Sequence, residues 1–211
     1  ITLHPRPDRR HALPEDAHAL AQLASARGFE LNLEGNPFSA SGEAYPGFEA
    51  LLLDSGPAQA TLVPDASDQL TSDHGWDLTR DGEKLRPVIR RLHERGCRVS
   101  LFLSPDTNDI QRAADIGADR IELYTGPYAQ AFASGDASRE LDRHSRASSV
   151  ARGLGLGLNA GHDLDLDNLV PYLAHVPGLL EVSIGQAFVS DALHFGWAEA
   201  TRLYLKAIAD A

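Results

Sequence analysis

Apolar positions along the chain follow two alternating rhythms. Over residues 81 to 95, Leu85, Val88, Ile89 and Leu92 stand at i, i+3, i+4 and i+7, which places them on one stripe of a helix, and Gly96 follows as a C-terminal stop. Directly after it, Arg98-Val99-Ser100-Leu101-Phe102-Leu103 is a short run of strand formers that reads as a buried strand. The same succession of helix, glycine, strand and polar turn recurs. Gly28 precedes Phe29 to Glu34, Gly117 precedes Asp119 to Tyr124, Gly153 precedes Leu154 to Leu158, and Gly178 precedes Leu179 to Ile184. Ala60-Thr61-Leu62-Val63-Pro64 supplies one more strand. Seven strands are expected, at 1–4, 29–34, 59–63, 98–103, 119–124, 154–159 and 179–184, and their alternation with helices predicts a parallel sheet.

A closed barrel wants eight strands, whereas a doubly wound open sheet tolerates seven. The polar residues favour the barrel. His4, Glu34, Glu122 and the segment Asn159 to His162 fall at the C-terminal ends of different strands, where a barrel gathers its chemistry around one mouth. No glycine-rich turn follows the first strand, and Gly153, Gly155 and Gly157 precede and enter a strand instead of forming a dinucleotide fingerprint. The expectation is an α/β fold, a TIM (β/α)8 barrel occupying residues 1–211 as one domain. The abrupt start at Ile1 suggests that the first β/α unit is missing from the chain. The stretches 39–47 and 133–138 read as loops, the former as an irregular replacement for the helix after Glu34.

Composition narrows the partners. A net charge of −11 leaves no basic stripe with interleaved aromatics, so nucleic acid and anionic membrane are poor candidates and any anionic ligand must be held by local groups. Neither a long apolar run nor a basic leader is visible, and a cytoplasmic protein is expected. The lone cysteine, Cys97, opens an apolar run and reads as a buried structural thiol.

Against that acidic background, His4-Pro5-Arg6-Pro7-Asp8-Arg9-Arg10-His11 packs three arginines and two histidines into eight residues, a natural anion site because guanidinium forks match phosphate; the competing reading is a solvated charge run ahead of a helix starting near Pro14. Glu34 ends an apolar strand, where partial desolvation is expected to raise its pKa and suit it to general base work; an ion pair with an arginine is the plainer alternative. Glu122 shares a strand face with Tyr124, and the pattern leaves open whether that face points inward. In Asn159-Ala160-Gly161-His162 the small residues admit a ligand to the backbone and His162 can titrate near neutrality. Gly185-Gln186 opens a helix after the last strand, a place where unpaired N–H groups favour an anion, although Gly185 also suits a simple turn.

Taken together, His4-x-Arg6-x-Asp8-x-Arg10-His11, Asn32-Leu33-Glu34, Val63-Pro64, Leu101-Phe102, Ile121 to Gly126, Asn159-Ala160-Gly161-His162 and Ser183-Ile184-Gly185 resemble, in order and spacing, the pyridoxine 5'-phosphate synthase family. The resemblance spans essentially the whole chain. It implies a TIM barrel that condenses 1-deoxy-D-xylulose 5-phosphate with 3-amino-2-oxopropyl phosphate, releasing inorganic phosphate and water, with no metal and no cofactor. It further implies His4 and Glu34 as proton acceptors, His162 as proton donor and Glu122 as a stabiliser of cationic or developing charge. Arg6, His11 and Thr71 would hold one phosphorylated substrate, and Asp163, Gly185 and Gln186 the other. A homo-oligomer, an octamer, is implied by the resemblance alone. Gln186 stands where histidine is expected, and Asp163 where glycine is common and a negative side chain sits awkwardly beside an anion. A metal-dependent sugar-phosphate isomerase or epimerase, with His4, Glu34, Glu122 and His162 as ligands, is the alternative enzyme, and a phosphometabolite-binding protein without turnover the alternative outside enzymes.

Overall fold

The computed structural model describes residues 1–66 and 69–211. Its elements run β1 (Thr2–Leu3), α1 (Pro14–Arg27), β2 (Asn32–Gly35), α2 (Phe48–Ser55), β3 (Gln59–Leu62), α3 (Leu78–His93), β4 (Arg98–Leu103), α4 (Thr107–Asp115), β5 (Arg120–Tyr124), α5 (Gly126–Ala133), α6 (Ser138–Gly153), β6 (Gly157–Gly161), α7 (Leu169–His175), β7 (Leu179–Ser183), α8 (Gln186–Phe195) and α9 (Trp197–Ala209). All strand pairs are parallel and the sheet order is the chain order, β1 to β7. This is a TIM-like barrel, nearly closed: β1 and β7 are its edge strands, and they meet through Thr2 Oγ1 and Ser183 Oγ, 3.2 Å apart.

Local sequence explains most boundaries. Pro14 opens α1 with a fixed φ, Glu15 and Asp16 lie at the positive end of its dipole, and the Asp16 carboxylate accepts the Leu13 N–H at 2.8 Å. In α3 the expected stripe of Leu85, Val88, Ile89 and Leu92 is buried, and the helix begins at Leu78, three residues earlier than its periodicity suggests, because the Asp77 side chain caps it by accepting from the Thr79 N–H. Two strands need correction, and the one expected at 29–34 begins only at Asn32. The run expected at 154–159 lies at 157–161, because α6 continues through Gly153 and the residue that turns the chain is Gly155, at φ +77°. Residues 39–47 are irregular, as expected, with a Gly42–Tyr45 bridge before the short helix α2.

Period-two alternation within the strands sorts two faces. Leu33, Ala60, Leu62, Val99, Leu101, Leu103, Ile121, Leu123, Leu158 and Ala160 point outward and form the core with the helices. The other set, Asn32, Glu34, Gln59, Thr61, Ser100, Arg120, Glu122, Asn159 and Glu181, is polar and faces the barrel axis. The proof is hydrogen bonding between strands that are not neighbours: Gln59 on β3 and Arg120 on β5 both reach Glu181 on β7, each at 3.2 Å. Asn32 links Thr2 and Thr61, and Arg120 also donates to Asn159. Phe102, in register with Glu122, adds one buried aromatic ring to this otherwise polar interior.

A second polar feature lies in the helical layer. His144 on α6 is fully buried against Tyr128 and Tyr172, its Nδ1 2.7 Å from the Tyr172 hydroxyl, and Nε2 has no partner among the described residues. Burial, aided by the charge of Arg143, pushes its pKa down to about 4. An imidazole that is neutral when folded and titrates near 6.5 when unfolded makes the unfolded chain the better proton acceptor between those values, so stability falls as pH falls through that window. The expected loss between pH 7 and pH 5 is about 2 kcal/mol from this group, read as the part of the urea-midpoint shift that disappears in a His144→Gln variant.

Candidate active site

The C-terminal ends of β1, β2, β5 and β6 bring four ionisable groups to one mouth. His4 Nδ1 lies 3.1 Å from Glu34 Oε1, and both side chains are mostly buried. Burial alone would push the Glu34 carboxyl up, as expected from the sequence, yet the net displacement is downward: the hydrogen bond from His4 and the positive fields of His4, His162 and His11 outweigh desolvation. The expectation of a raised Glu34 is therefore corrected. The raised carboxyl is Glu122, held well above the usual range by burial and by the negative charges of Glu34 and Glu181. It points inward, is 2% exposed, and its Oε2 has no partner among the described residues. The pKa values of two neighbouring carboxyls are thereby driven apart, Glu34 downward and Glu122 upward, the kind of split that suits acid and base roles.

His162 follows β6 in a left-handed conformation, φ +74°, unusual for a residue with a side chain. Both flanks of the strand end are pinned. The Thr125 hydroxyl donates to the Gly161 carbonyl, and the His162 N–H donates to the Ser183 carbonyl at 2.9 Å. Gly161 is required for that approach, since a Cβ there would strike the Ser183 carbonyl oxygen and stand 2.9 Å from Glu122 Oε1. Gly161→Ala is expected to cost at least 1–3 kcal/mol, roughly, and to lower the thermal midpoint measurably, because the backbone of β7 must retreat. Burial pulls the His162 pKa down, but the hydrogen bond and charge of Asp163, with the fields of Glu34 and Asp65, leave it raised overall. Its Nε2 lies 2.6 Å from Thr71 Oγ1 and its Nδ1 2.9 Å from Asp163 Oδ2. Thr71, expected to touch substrate, is thus in direct contact with the expected proton donor.

The arginine-rich loop divides between the two readings, since Asp8, Arg9, Arg10 and His11 are exposed while Arg6 is not. Arg6 is 2% exposed, with Nη1 on Asp65 at 3.0 Å and Nη2 on the carbonyls of Ala66 and Gln69. Arg10 donates to the carbonyls of Gln69 and Leu70. These guanidiniums therefore hold the loop after β3 over the mouth, and of the Arg6 donors Nη1 and Nη2 are engaged while Nε has no partner among the described residues. The void beside His4, Arg6, Asn36, Tyr45 and Asp65 measures only about 10 Å³. A wider groove of about 510 Å³, lined by Phe132, Leu141, Pro171 and His175, lies on the helical side and touches none of these residues. His11 is exposed at the rim, its ring 5.7 Å from that of His4, and its pKa is lowered by burial and by the charges of His4, Arg6 and Arg10. Gly185 and Gln186 are exposed at the start of α8, whose N-terminus has no side-chain cap.

The sequence reading missed Asp65, the partner that fixes Arg6 and accepts from Ser72 at 2.7 Å. It also missed Tyr124, whose ring lies edge-on 6.3 Å from His162. Asp65 immediately follows the strand that ends in Val63-Pro64, so its position at a strand's C-terminal end was a usable signal. Among the described residues no three His, Cys, Asp or Glu side chains converge closely enough to hold a metal ion, so the ligand set of the isomerase alternative is not assembled. No helix of the described residues is long and apolar enough to cross a membrane.

Comparison with known proteins adds independent findings. Residues 1–210 match the family described as pyridoxal phosphate biosynthesis protein PdxJ. The chain is 50% identical over 209 residues to a protein of Xanthomonas campestris pv. campestris (strain B100) named pyridoxine 5'-phosphate synthase, covering 99% of this chain and 82% of the relative. It is 48% identical over 205 residues to a protein of that name from Xylella fastidiosa (strain 9a5c), covering 97% and 79%. Among solved structures it is similar to a mutant tryptophan synthase α-subunit from Pyrococcus furiosus (TM-score 0.61, 15% identity, 97% of this chain and 76% of that one). It is also similar to deoxyribose phosphate aldolase from Aeropyrum pernix (TM-score 0.53, 18% identity, 81% and 70%). At such identities the two structures speak for the fold alone.

Proposed function

Because the chain belongs to the PdxJ family, a family of vitamin B6 biosynthetic enzymes, we propose that it is a pyridoxine 5'-phosphate synthase. In this reading it condenses 1-deoxy-D-xylulose 5-phosphate with 3-amino-2-oxopropyl phosphate and releases inorganic phosphate and water, in the cytoplasm. The observation that carries the reading is the gathering of Glu34, 3.1 Å from His4, buried Glu122 and His162, 2.9 Å from Asp163, at one mouth, where their surroundings lower the pKa of Glu34 and raise those of Glu122 and His162.

Such a reaction is a chain of proton transfers. Amine and ketone join as an imine, carbon-bound protons move, phosphate leaves and the ring closes. Glu34, ionised and hydrogen-bonded to His4, is equipped to accept protons, and His162 to deliver one to a departing oxygen. Glu122 is recast by its raised pKa: as a neutral acid inside the barrel it donates a hydrogen bond to a developing oxyanion instead of balancing a cation. Arg6, His11 and Thr71 on one side, and the backbone of Asp163 with the uncapped N-terminus at Gly185 and Gln186 on the other, are the proposed supports for the two phosphates. Gln186 contributes amide donors without charge.

The test mixes both substrates with the full-length protein and follows pyridoxine 5'-phosphate by chromatography and released phosphate by colorimetry. Product and phosphate appearing together support the proposal. Saturable binding of both compounds with no product overturns it in favour of a binding protein.

A further inference from the structure

We infer that the Asp163 carboxylate is the positioning residue of His162, accepting its Nδ1–H and so fixing the ring with Nε2 turned toward Thr71. The inference builds on the proposed role of His162 as proton donor. Its starting point is a backbone fact. In an extended strand, side chains i and i+1 point to opposite faces, and neighbours in sequence do not meet. Here β6 stops at Gly161 and His162 takes φ +74°, which swings the chain so that the Asp163 carboxylate returns to the ring of the preceding residue, Oδ2 at 2.9 Å from Nδ1.

The turn itself is anchored on both sides of the pair. Ahead of it, the His162 N–H is bonded to the Ser183 carbonyl; behind it, the Asp163 carbonyl accepts from the buried Asn168 side chain at 3.1 Å. The backbone that carries the carboxylate is therefore anchored on both sides, while the Asp163 side chain itself is 40% exposed. An acceptor on Nδ1 selects the tautomer in which that nitrogen carries hydrogen, leaving Nε2 as the atom that exchanges a proton with whatever replaces Thr71 Oγ1, now at 2.6 Å.

Other charges face the same ring, and their partners set them apart. Glu34 on β2 is engaged by His4 at 3.1 Å, and Asp65, after β3, by Arg6 at 3.0 Å and Ser72 at 2.7 Å, so each field is partly cancelled at source. Tyr124 on β5 presents its ring edge and Thr71 its hydroxyl, and neither carries a charge. Among the described residues, Asp163 alone of the carboxylates stands within hydrogen-bond distance of the imidazole. The pairing also resolves the awkward negative side chain beside a proposed phosphate site: turned onto His162, the carboxylate is matched by imidazolium, and the backbone of residue 163 is left for the anion.

The test uses full-length protein and two independent readouts. Titration of the His162 ring by ¹³C and ¹⁵N NMR, assigned with His162→Gln, should show its pKa falling by about one unit in Asp163→Asn and recovering much of that in Asp163→Glu. In the synthase assay the alkaline limb of the pH profile of kcat should move to lower pH by the same amount. Activity at pH 8 would then fall roughly 10-fold while activity at pH 6 stays near wild type. A general loss of packing would lower activity at every pH and would not be rescued by glutamate. An unchanged His162 titration in Asp163→Asn overturns the inference. A shifted titration in a protein that makes no pyridoxine 5'-phosphate keeps the ring-positioning role and defeats the proposed function instead, so the two failures are distinguishable.

Discussion

Replacing His162 by alanine is expected to lower turnover about 10²-fold or more, with the fold intact, and Glu34→Gln to do the same. Each variant removes a proton-transfer group while leaving the binding surface largely in place, so the loss should fall on kcat more than on KM. The Glu34 substitution is the sharper of the two. Glutamine keeps the shape and can still meet His4, but it cannot take a proton, and the negative field that helps hold Glu122 protonated disappears with it. Steady-state rates of phosphate release across pH 5 to 9 measure both. Near wild-type rates in either variant would remove that residue from the assigned chemistry.

The second large effect concerns stability. Asp65→Ala is expected to destabilise the protein by about 3–5 kcal/mol, because it leaves the Arg6 guanidinium buried without its counter-charge and the Ser72 hydroxyl without an acceptor. For a chain of this size that corresponds to a fall in thermal midpoint on the order of 10 °C. Removing both charges should cost much less. The double variant Arg6→Met, Asp65→Ala is expected to recover much of the loss, since the penalty of an unpaired buried charge is absent. Calorimetry on the four-member cycle reads the coupling directly, and equal losses in the single and double variants would contradict it. The same pair bears on function: the cation that stabilises the loop after β3 is the one proposed to meet a phosphate, so substrate competes with Asp65 and the carbonyls of Ala66 and Gln69 for Nη1 and Nη2, though not for Nε.

How much of this could be read beforehand varies by element. The helix around Leu85 to Leu92 was plain, since a buried stripe and a following glycine are both local. Strand β6 was placed three residues early because Gly153 and Gly155 are equally good stops on paper, and only the packing of α6 decides which one turns. His4, Glu34, Glu122 and His162 were identifiable as ionisable strand ends. Their protonation was not, because the sign of a pKa shift depends on who stands opposite, and the partners come from β1, β2, β5, β6 and β7, far apart in sequence.

From its sequence alone the chain determined its rhythm of helix, glycine and strand, and hence a parallel sheet with polar groups at the strand ends, because backbone geometry makes those periodicities local. The tertiary structure alone decided that the alternating polar residues of the strands face one another across a barrel and not solvent. It also decided that Asp65 claims Arg6 and that Asp163 folds back onto His162. Those outcomes rest on distances between distant segments, and electrostatic energy in a desolvated interior depends on such distances too steeply for order along the chain to reveal it.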